Sequence, residues 1–240
     1  MWLYERPIAH RGLHTETLTE NSMGAFRNAI EHGYNIEIDV HLLKSGEVVI
    51  FHDNTLRRLC GKNVKISDLT LEDIRGDEYL LPCGEPIPLL TDLLEIVEGT
   101  QSGILLEIKF AGFSYKLEKA VLDIIKGKES FIAIQAFSPW TMMWFRKNAP
   151  EFHQGLLSAN IILQLFASKL KAMKPDFLAY GVNSVTPYFQ KKVAQNNYKV
   201  LYWTIRTEQD LQNAIDNKAD NIIFEFVDLD KAGYKPPAAK

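Results

Sequence analysis

Residues 36–53 read Ile36-Glu-Ile-Asp-Val-His-Leu-Leu-Lys-Ser-Gly-Glu-Val-Val-Ile-Phe-His-Asp53, and the fold turns on them. Ile36, Ile38 and Val40 alternate with Glu37 and Asp39, the period of a strand whose successive side chains face opposite ways. The chain then turns at Lys44-Ser45-Gly46-Glu47 and returns through Val48-Val49-Ile50-Phe51 to His52 and Asp53. The apolar set suits a layer of helices outside a sheet. The two carboxylates point the other way, where ionised groups are costly unless compensated. Two partners fit them: a buried Arg or Lys, or a divalent metal ion with His52 returned to its edge by the hairpin. This stretch alone leaves both open.

Outward from it, the chain alternates strand and helix. Before it, Pro7-Ile8-Ala9-His10 is a short apolar run, and Asn21 reads as the N-cap of a helix through Met23, Phe26, Ala29 and Ile30. After it, residues 54–88 carry several Gly and Pro and one short helical patch near Leu69–Ile74, with Ser67-Asp68-Leu69-Thr70 as its cap. That is long for a connection and reads as a functional insertion or lid. Strands are expected to start near 7, 35, 103, 131, 153, 177, 199 and 221, with helices between them, including an amphipathic one at Ile161–Met173. Eight β–α units in 240 residues predict an α/β fold, a (β/α)₈ TIM barrel forming a single domain over 1–240, with a small insertion after strand 2. A doubly wound sheet competes, but no glycine-rich phosphate loop follows the first strand.

Composition limits the partners. A net charge of −3 and a pI near 6.1 with no basic stripe argue against nucleic acid. No apolar run approaches a membrane span, so no stable membrane insertion is expected. Cys60 and Cys83 read as free thiols in a reducing compartment, and a cytoplasmic location is the default. Nothing in the sequence sets an oligomeric state.

The barrel hypothesis sorts the polar residues, because active sites of such barrels lie at the C-terminal ends of the strands. His10 and Arg11 end strand 1, Glu37 and Asp39 lie late in strand 2, and Glu107 and Lys109 close strand 3. Gln135 is late in strand 4, Trp203 in strand 7, and Glu225 ends strand 8. Glu37, Asp39 and Glu107 are hard oxygen ligands of the kind Mg²⁺ or Ca²⁺ prefers. Arg11 and Lys109 fit an anionic substrate, and His10 and His52 are candidate proton carriers. The chemistry this set suits is metal-assisted hydrolysis of a phosphate ester. The other histidines have no role in this reading, and His41 is expected to face outward.

With these residues in place the sequence resembles the glycerophosphodiester phosphodiesterases. The motifs are Ala9-His10-Arg11-Gly12, Glu20-Asn21-Ser22, Ile36-Glu37-Ile38-Asp39-Val40, Phe51-His52-Asp53, Ile87-Pro88-Leu89, Glu107-Ile108-Lys109 and Trp203-Thr204, in the family's order. The resemblance implies a (β/α)₈ barrel with an insertion after His52-Asp53 and one divalent ion on Glu37, Asp39 and Glu107. It implies His10 and His52 as general acid and base, Arg11 and Lys109 on the phosphate, and Trp203 as a binding residue. The implied reaction takes a small-molecule phosphodiester to sn-glycerol 3-phosphate and an alcohol. Departures are Thr19 where the family favours Pro, Ile205-Arg206 after Trp203-Thr204, and Glu225 at a position usually Asp. Arg206 is expected to favour a more anionic head group.

The alternative function is a lysophospholipase D-like phosphodiesterase acting on a lipid. It needs an apolar mouth, for which Tyr79, Leu80 and Leu81 of the insertion are the candidates. A binding module without turnover, and a sugar- or nucleotide-phosphate enzyme, are the other readings weighed.

Overall fold

The computed structural model describes residues 1–159 and 173–236; the helix expected over 161–173 falls almost wholly outside that range. Strand β1 (Ile8–His10) leads through helix α1 (Met23–Glu31) to β2 (Asn35–Leu42), which turns back into β3 (Val48–Ile50). Four short helical segments follow: α2 (Arg57–Cys60) and α3 (Leu71–Arg75) are α-helical, and Ile66–Asp68 and Asp77–Tyr79 are 3₁₀ turns. The regular alternation resumes with α4 (Leu90–Val97), β4 (Ile104–Ile108), α5 (Lys116–Ile125), β5 (Ile132–Ala136), α6 (Pro139–Asn148) and β6 (His153–Ser158). It ends with β7 (Phe177–Gly181), α7 (Pro187–Asn196), β8 (Lys199–Ile205), α8 (Glu208–Asp216) and β9 (Asn221–Phe224).

Eight of these strands run parallel and close on themselves. β1 pairs with both β2 and β9, and β2 passes directly to β4, while β3 hangs antiparallel on the far half of β2. The expected (β/α)₈ barrel is therefore the observed fold. Period two divides its side chains cleanly. Ile36, Ile38, Val40, Ile104, Leu106, Ile132 and Ile134 join the large cluster between sheet and helices. Ile8, Leu105, Ala133, Leu157, Ala179, Leu201 and Ile223 fill the interior.

The N-terminal end of the barrel is plugged by Trp2–Tyr4, whose Leu3 is fully buried. Asn35 and Asn221, at the starts of β2 and β9, hold this turn by donating to the carbonyls of Trp2, Leu3 and Arg6. Gly103 and Gly155 make room for aromatic rings in the interior. A Cβ on Gly155 would lie 2.0 Å from the Phe177 ring, and one on Gly103 would lie 2.1 Å from Trp2. With the lower end sealed by packing, the open end is the C-terminal one, where β-to-α loops leave the strands.

Residues 54–88 are better built than a loose connection. Leu56, Ile66, Leu69, Ile74, Leu81 and Ile87 pack with Leu43, Val49 and Phe51 into a small core of their own. Thr70 caps α3 in a reciprocal capping box with Asp73. Cys60 and Cys83 are both free.

Two local expectations are corrected. The N-cap of α1 is Ser22, whose hydroxyl accepts from the Ala25 amide, not Asn21. Asn21 sits one residue earlier in the left-handed region at φ 54° and turns its side chain into the barrel mouth. His41 does not face outward. It shares a face with Glu37 and Asp39, is 8% exposed, and its Nε2 donates to the His52 carbonyl at 3.2 Å.

Candidate active site

Parallel register places the site before any side chain is considered. His10 aligns with Glu37, and Asp39 aligns with Glu107, which aligns with Gln135. Closed into a barrel, these strands aim every second side chain at the axis. One oxygen from each of Glu37, Asp39 and Glu107 then lies within 4.8 Å of the others, all three residues being buried. A cavity of about 170 Å³ opens over them. Its walls include His10, Arg11, Glu37, His52, Glu107, Lys109 and Trp203, so the expected site residues are brought together, with Asp39 directly behind Arg11 and Lys109. Leu157 and Ile223 form its apolar floor.

Of the two partners left open for Glu37 and Asp39, basic side chains are present. Lys109 Nζ lies 2.7 Å from Asp39 and 2.5 Å from Glu107, and Arg11 Nε lies 3.4 Å from Asp39. These cations are not enough. Three carboxylates against two side-chain cations leave one negative charge in a buried site, and the titration behaviour reflects it. Burial pushes the Asp39 carboxyl up, but Lys109 and Arg11 outweigh that and hold it at about 2. Glu107 is driven up to about 7 by burial and then by Asp39, despite Lys109. Glu37 rises well above the usual carboxylate range for the same reasons. In addition, the side-chain oxygens of Asn21 and Gln135 are buried and accept no hydrogen bond among the described residues. A cluster of hard oxygens with surplus negative charge fits a hard divalent cation.

Each histidine is gripped from behind by a carboxylate. His10 Nδ1 lies 2.5 Å from Glu225 Oε2, and His52 Nδ1 lies 2.6 Å from Asp53 Oδ1. Asp53 sits below the usual range: burial raises it, but Arg58 and His52 outweigh this. Glu225 is also lowered, burial being outweighed by the bond to His10 and by His14 and Arg206. An ionised carboxylate only accepts, so both rings carry their proton on Nδ1 and keep Nε2 as the working nitrogen. His10 Nε2 lies 4.0 Å from Glu37. Burial lowers the pKa of both rings, against the pull of Glu225 on His10 and of Asp39 on His52.

Further residues complete the arrangement. Arg11 adopts φ 59°, a left-handed conformation strained for a side-chain-bearing residue, and this aims its amide at Glu37 Oε2, 3.2 Å away. Asn21 donates to Asp39 at 3.1 Å, a role its reading as a cap did not contain. Glu20 bridges Arg11 at 2.7 Å and Arg58 at 2.6 Å, and Arg58 continues to Asp53 at 2.7 Å. Arg58 was not singled out in the sequence; its only signal is the Arg57-Arg58 pair soon after His52-Asp53. Arg206, expected to favour a more anionic head group, lies 2.5 Å from Glu225, the carboxylate behind His10.

The fold and site together are a parallel eight-stranded barrel with a three-carboxylate cluster and two histidines at its mouth. The glycerophosphoryl diester phosphodiesterase family matches residues 10–229, and the chain belongs to that family and is a phosphodiesterase by class. The chain is 40% identical to the probable glycerophosphodiester phosphodiesterase 2 of Mycobacterium tuberculosis, over 92% of this chain and 88% of that one. Among solved structures, the glycerophosphodiester phosphodiesterase of Thermotoga maritima is 26% identical with a TM-score of 0.79, covering 95% and 97% of the two chains. An Oleispira antarctica phosphodiesterase in complex with the product sn-glycerol-3-phosphate has the same fold, at a TM-score of 0.81, 23% identity and 94% coverage of each chain. A mouse lysophospholipase D is 33% identical over 135 residues, half of this chain and 41% of that protein.

Proposed function

We propose that the chain hydrolyses glycerophosphodiesters to sn-glycerol 3-phosphate and an alcohol, with one divalent ion, Mg²⁺ or Ca²⁺, held by Glu37, Asp39 and Glu107. The observation that carries this reading is the buried carboxylate cluster beneath a cavity flanked by His10 and His52. Charge supports it. A divalent ion turns the net charge of the five-residue cluster from one negative to one positive, complementary to the single negative charge of a phosphodiester. When bound, such an ion polarises a phosphoryl oxygen and lowers the pKa of a bound hydroxyl.

The protein's own groups do the rest. Lys109 spends two of its three donors on Asp39 and Glu107 and has one left for a phosphoryl oxygen. Arg11 flanks the same oxygens. A neutral His10 or His52 accepts the nucleophile's proton at Nε2, and the other in its protonated form gives one to the leaving alcohol. The carboxylate behind each ring stabilises the imidazolium so formed. Trp203 supplies a wall for the organic part of the substrate. A cytoplasmic site of action accords with the two free thiols. No helix among the described residues is long and apolar enough to cross a membrane.

The test is release of glycerol 3-phosphate from several glycerophosphodiesters in a matrix of Mg²⁺, Ca²⁺ and Mn²⁺. Metal-dependent release that EDTA abolishes is the expected result; no release with any metal overturns the reading. The insertion does not furnish the apolar mouth a lipid-cleaving relative needs, because Leu81 is buried in its small core and Tyr79 and Leu80 are half-buried.

A further inference from the structure

The insertion meets the rest of the barrel mouth through one guanidinium. Arg58 lies on α2, soon after His52-Asp53, and is held along two edges. Its Nη1 and Nη2 donate to the two oxygens of Glu20 at 2.7 and 2.6 Å, and its Nε and Nη2 donate to the two oxygens of Asp53 at 2.7 and 3.2 Å. Two bidentate pairings on one planar fork are a geometry that a lysine ammonium cannot reproduce. Neither carboxylate ends there. Glu20 Oε1 also accepts from Arg11 Nη1 at 2.7 Å, and Asp53 Oδ1 lies 2.6 Å from His52 Nδ1. A chain of charge-assisted bonds therefore runs from Arg11 through Glu20, Arg58 and Asp53 to His52, and both of its ends line the cavity.

The far end of the insertion grips the loop that carries Glu20. The Cys83 amide donates to Thr19 Oγ1 and the Gly24 amide donates to Glu85, each at 3.0 Å. A Cβ on Gly24 would lie 2.6 Å from Glu85 Oε1, so the two segments are in close contact there. Arg58 itself does little for the fold. Its side chain is 45% exposed and takes no part in the small apolar core of the insertion. Ion pairs at such exposure contribute little to stability. What its four hydrogen bonds fix is orientation.

We infer that Arg58 is a positioning residue for the reaction proposed above, on which this inference rests: one side chain of the insertion orients Arg11 through Glu20 and His52 through Asp53. The two arms act differently. On one side Arg58 holds Asp53 Oδ2 and leaves Oδ1 turned to His52 Nδ1, which keeps the ring's Nε2 toward the cavity. Without Arg58 that carboxylate turns about its own torsions and the ring loses a fixed partner. On the other side Arg58 shares the charge of Glu20 and occupies Oε2. Without it Oε2 is open to a second bond from Arg11, and the full carboxylate charge offsets the attraction of Arg11 for an anionic substrate. Proton transfer and substrate binding thus depend on one guanidinium through separate carboxylates.

The experiment measures kcat and KM for glycerophosphoethanolamine, with Tm alongside, in Arg58→Ala, Asp53→Ala, Glu20→Ala and the two double variants that contain Arg58→Ala. A reacting group displaced by about 1 Å can lose about a hundredfold in rate, and the looser restraint removed here is expected to lower kcat about tenfold. KM is expected to rise about threefold, with Tm within about 3 °C of native. In the Asp53→Ala background Arg58→Ala is expected to lower kcat no further, and in the Glu20→Ala background to raise KM no further, because residues that act as one unit are not additive. Native kcat and KM in Arg58→Ala, or losses that multiply in either background, overturn the inference. So does a loss of activity that accompanies a fall in Tm of about 10 °C or more, which assigns Arg58 to the fold. If Arg58→Ala does not fold, Arg58→Lys keeps the charge but cannot span both carboxylates, and the same pattern is expected of it. A native protein that cleaves no glycerophosphodiester sinks the phosphodiesterase reading itself; an active one with multiplying losses sinks only the role of Arg58.

Discussion

Nδ1 of His10 lies 2.5 Å from the carboxylate of Glu225, a contact between the first barrel strand and the residue that ends the last. It sets which nitrogen of the ring faces the cavity. Glu225→Gln keeps an acceptor but removes the charge that favours the imidazolium. Turnover is expected to fall about tenfold to a hundredfold, less than the roughly 10²–10⁴ of losing an acid–base group altogether, with metal affinity unchanged. Steady-state kinetics beside a calorimetric metal titration measures both, and full activity in the variant would remove Glu225 from the mechanism.

His52 also lines the cavity, held by Asp53 and by its own carbonyl's bond from His41. His52→Ala is expected to leave metal affinity intact and cut kcat by about 10²–10⁴. A loss of only twofold would reassign His52 to structure.

The carboxylate cluster gives a ligand-linked stability. An ion present at a hundredfold excess over its Kd adds about 2.7 kcal/mol to a native state that alone binds it. For a chain of this size that is a shift of roughly 5–10 °C in Tm, lost on addition of EDTA. Glu37→Gln is expected to weaken binding and shrink the shift in proportion. An unaltered shift would mean that Glu37 is not a ligand.

The pH dependence of that shift has a definite sign. Glu107 titrates at about 7 in the metal-free protein against 4.5 as its ordinary value. A folded pKa above the unfolded one contributes stability that is whole below pH 4.5 and lost as pH rises through about 7. Glu37 acts in the same direction. Asp39, held at about 2, works oppositely, and its contribution is lost only as pH falls below 3.8. A bound cation competes with the protons on Glu37 and Glu107, so its stabilising effect is expected to grow across that upper window. Thermal unfolding with Mg²⁺ and with EDTA at several pH values tests this; a gap in Tm that does not change with pH contradicts it.

The sealed end of the barrel is as specific as the open one. Gly155→Ala would drive a methyl group into the Phe177 ring. Overpacking of this kind costs about 1–3 kcal/mol or more, so a lower midpoint of urea unfolding is expected, with the metal site unaltered in the fraction that folds. Native stability in Gly155→Ala would show that the interior relaxes there.

What lies along one strand, or at its end, was legible from residue order. Alternation in Ile36–Val40 identified the face carrying Glu37 and Asp39, and the count of strand–helix units identified the barrel and so the rim on which His10, Arg11, Glu107 and Lys109 meet. Strand and helix periods are local properties, written within a few residues. Closure of the sheet decided the rest. It brought Glu225 to His10 and Asn21 to Asp39, ran Glu20 through Arg58 to Asp53, and turned His41 inward. It also raised Glu37 and Glu107 while holding Asp39 low. Partners separated by up to about two hundred positions become neighbours only when the strands close into a ring, and burial there, rather than residue type, determines which carboxylate keeps its proton.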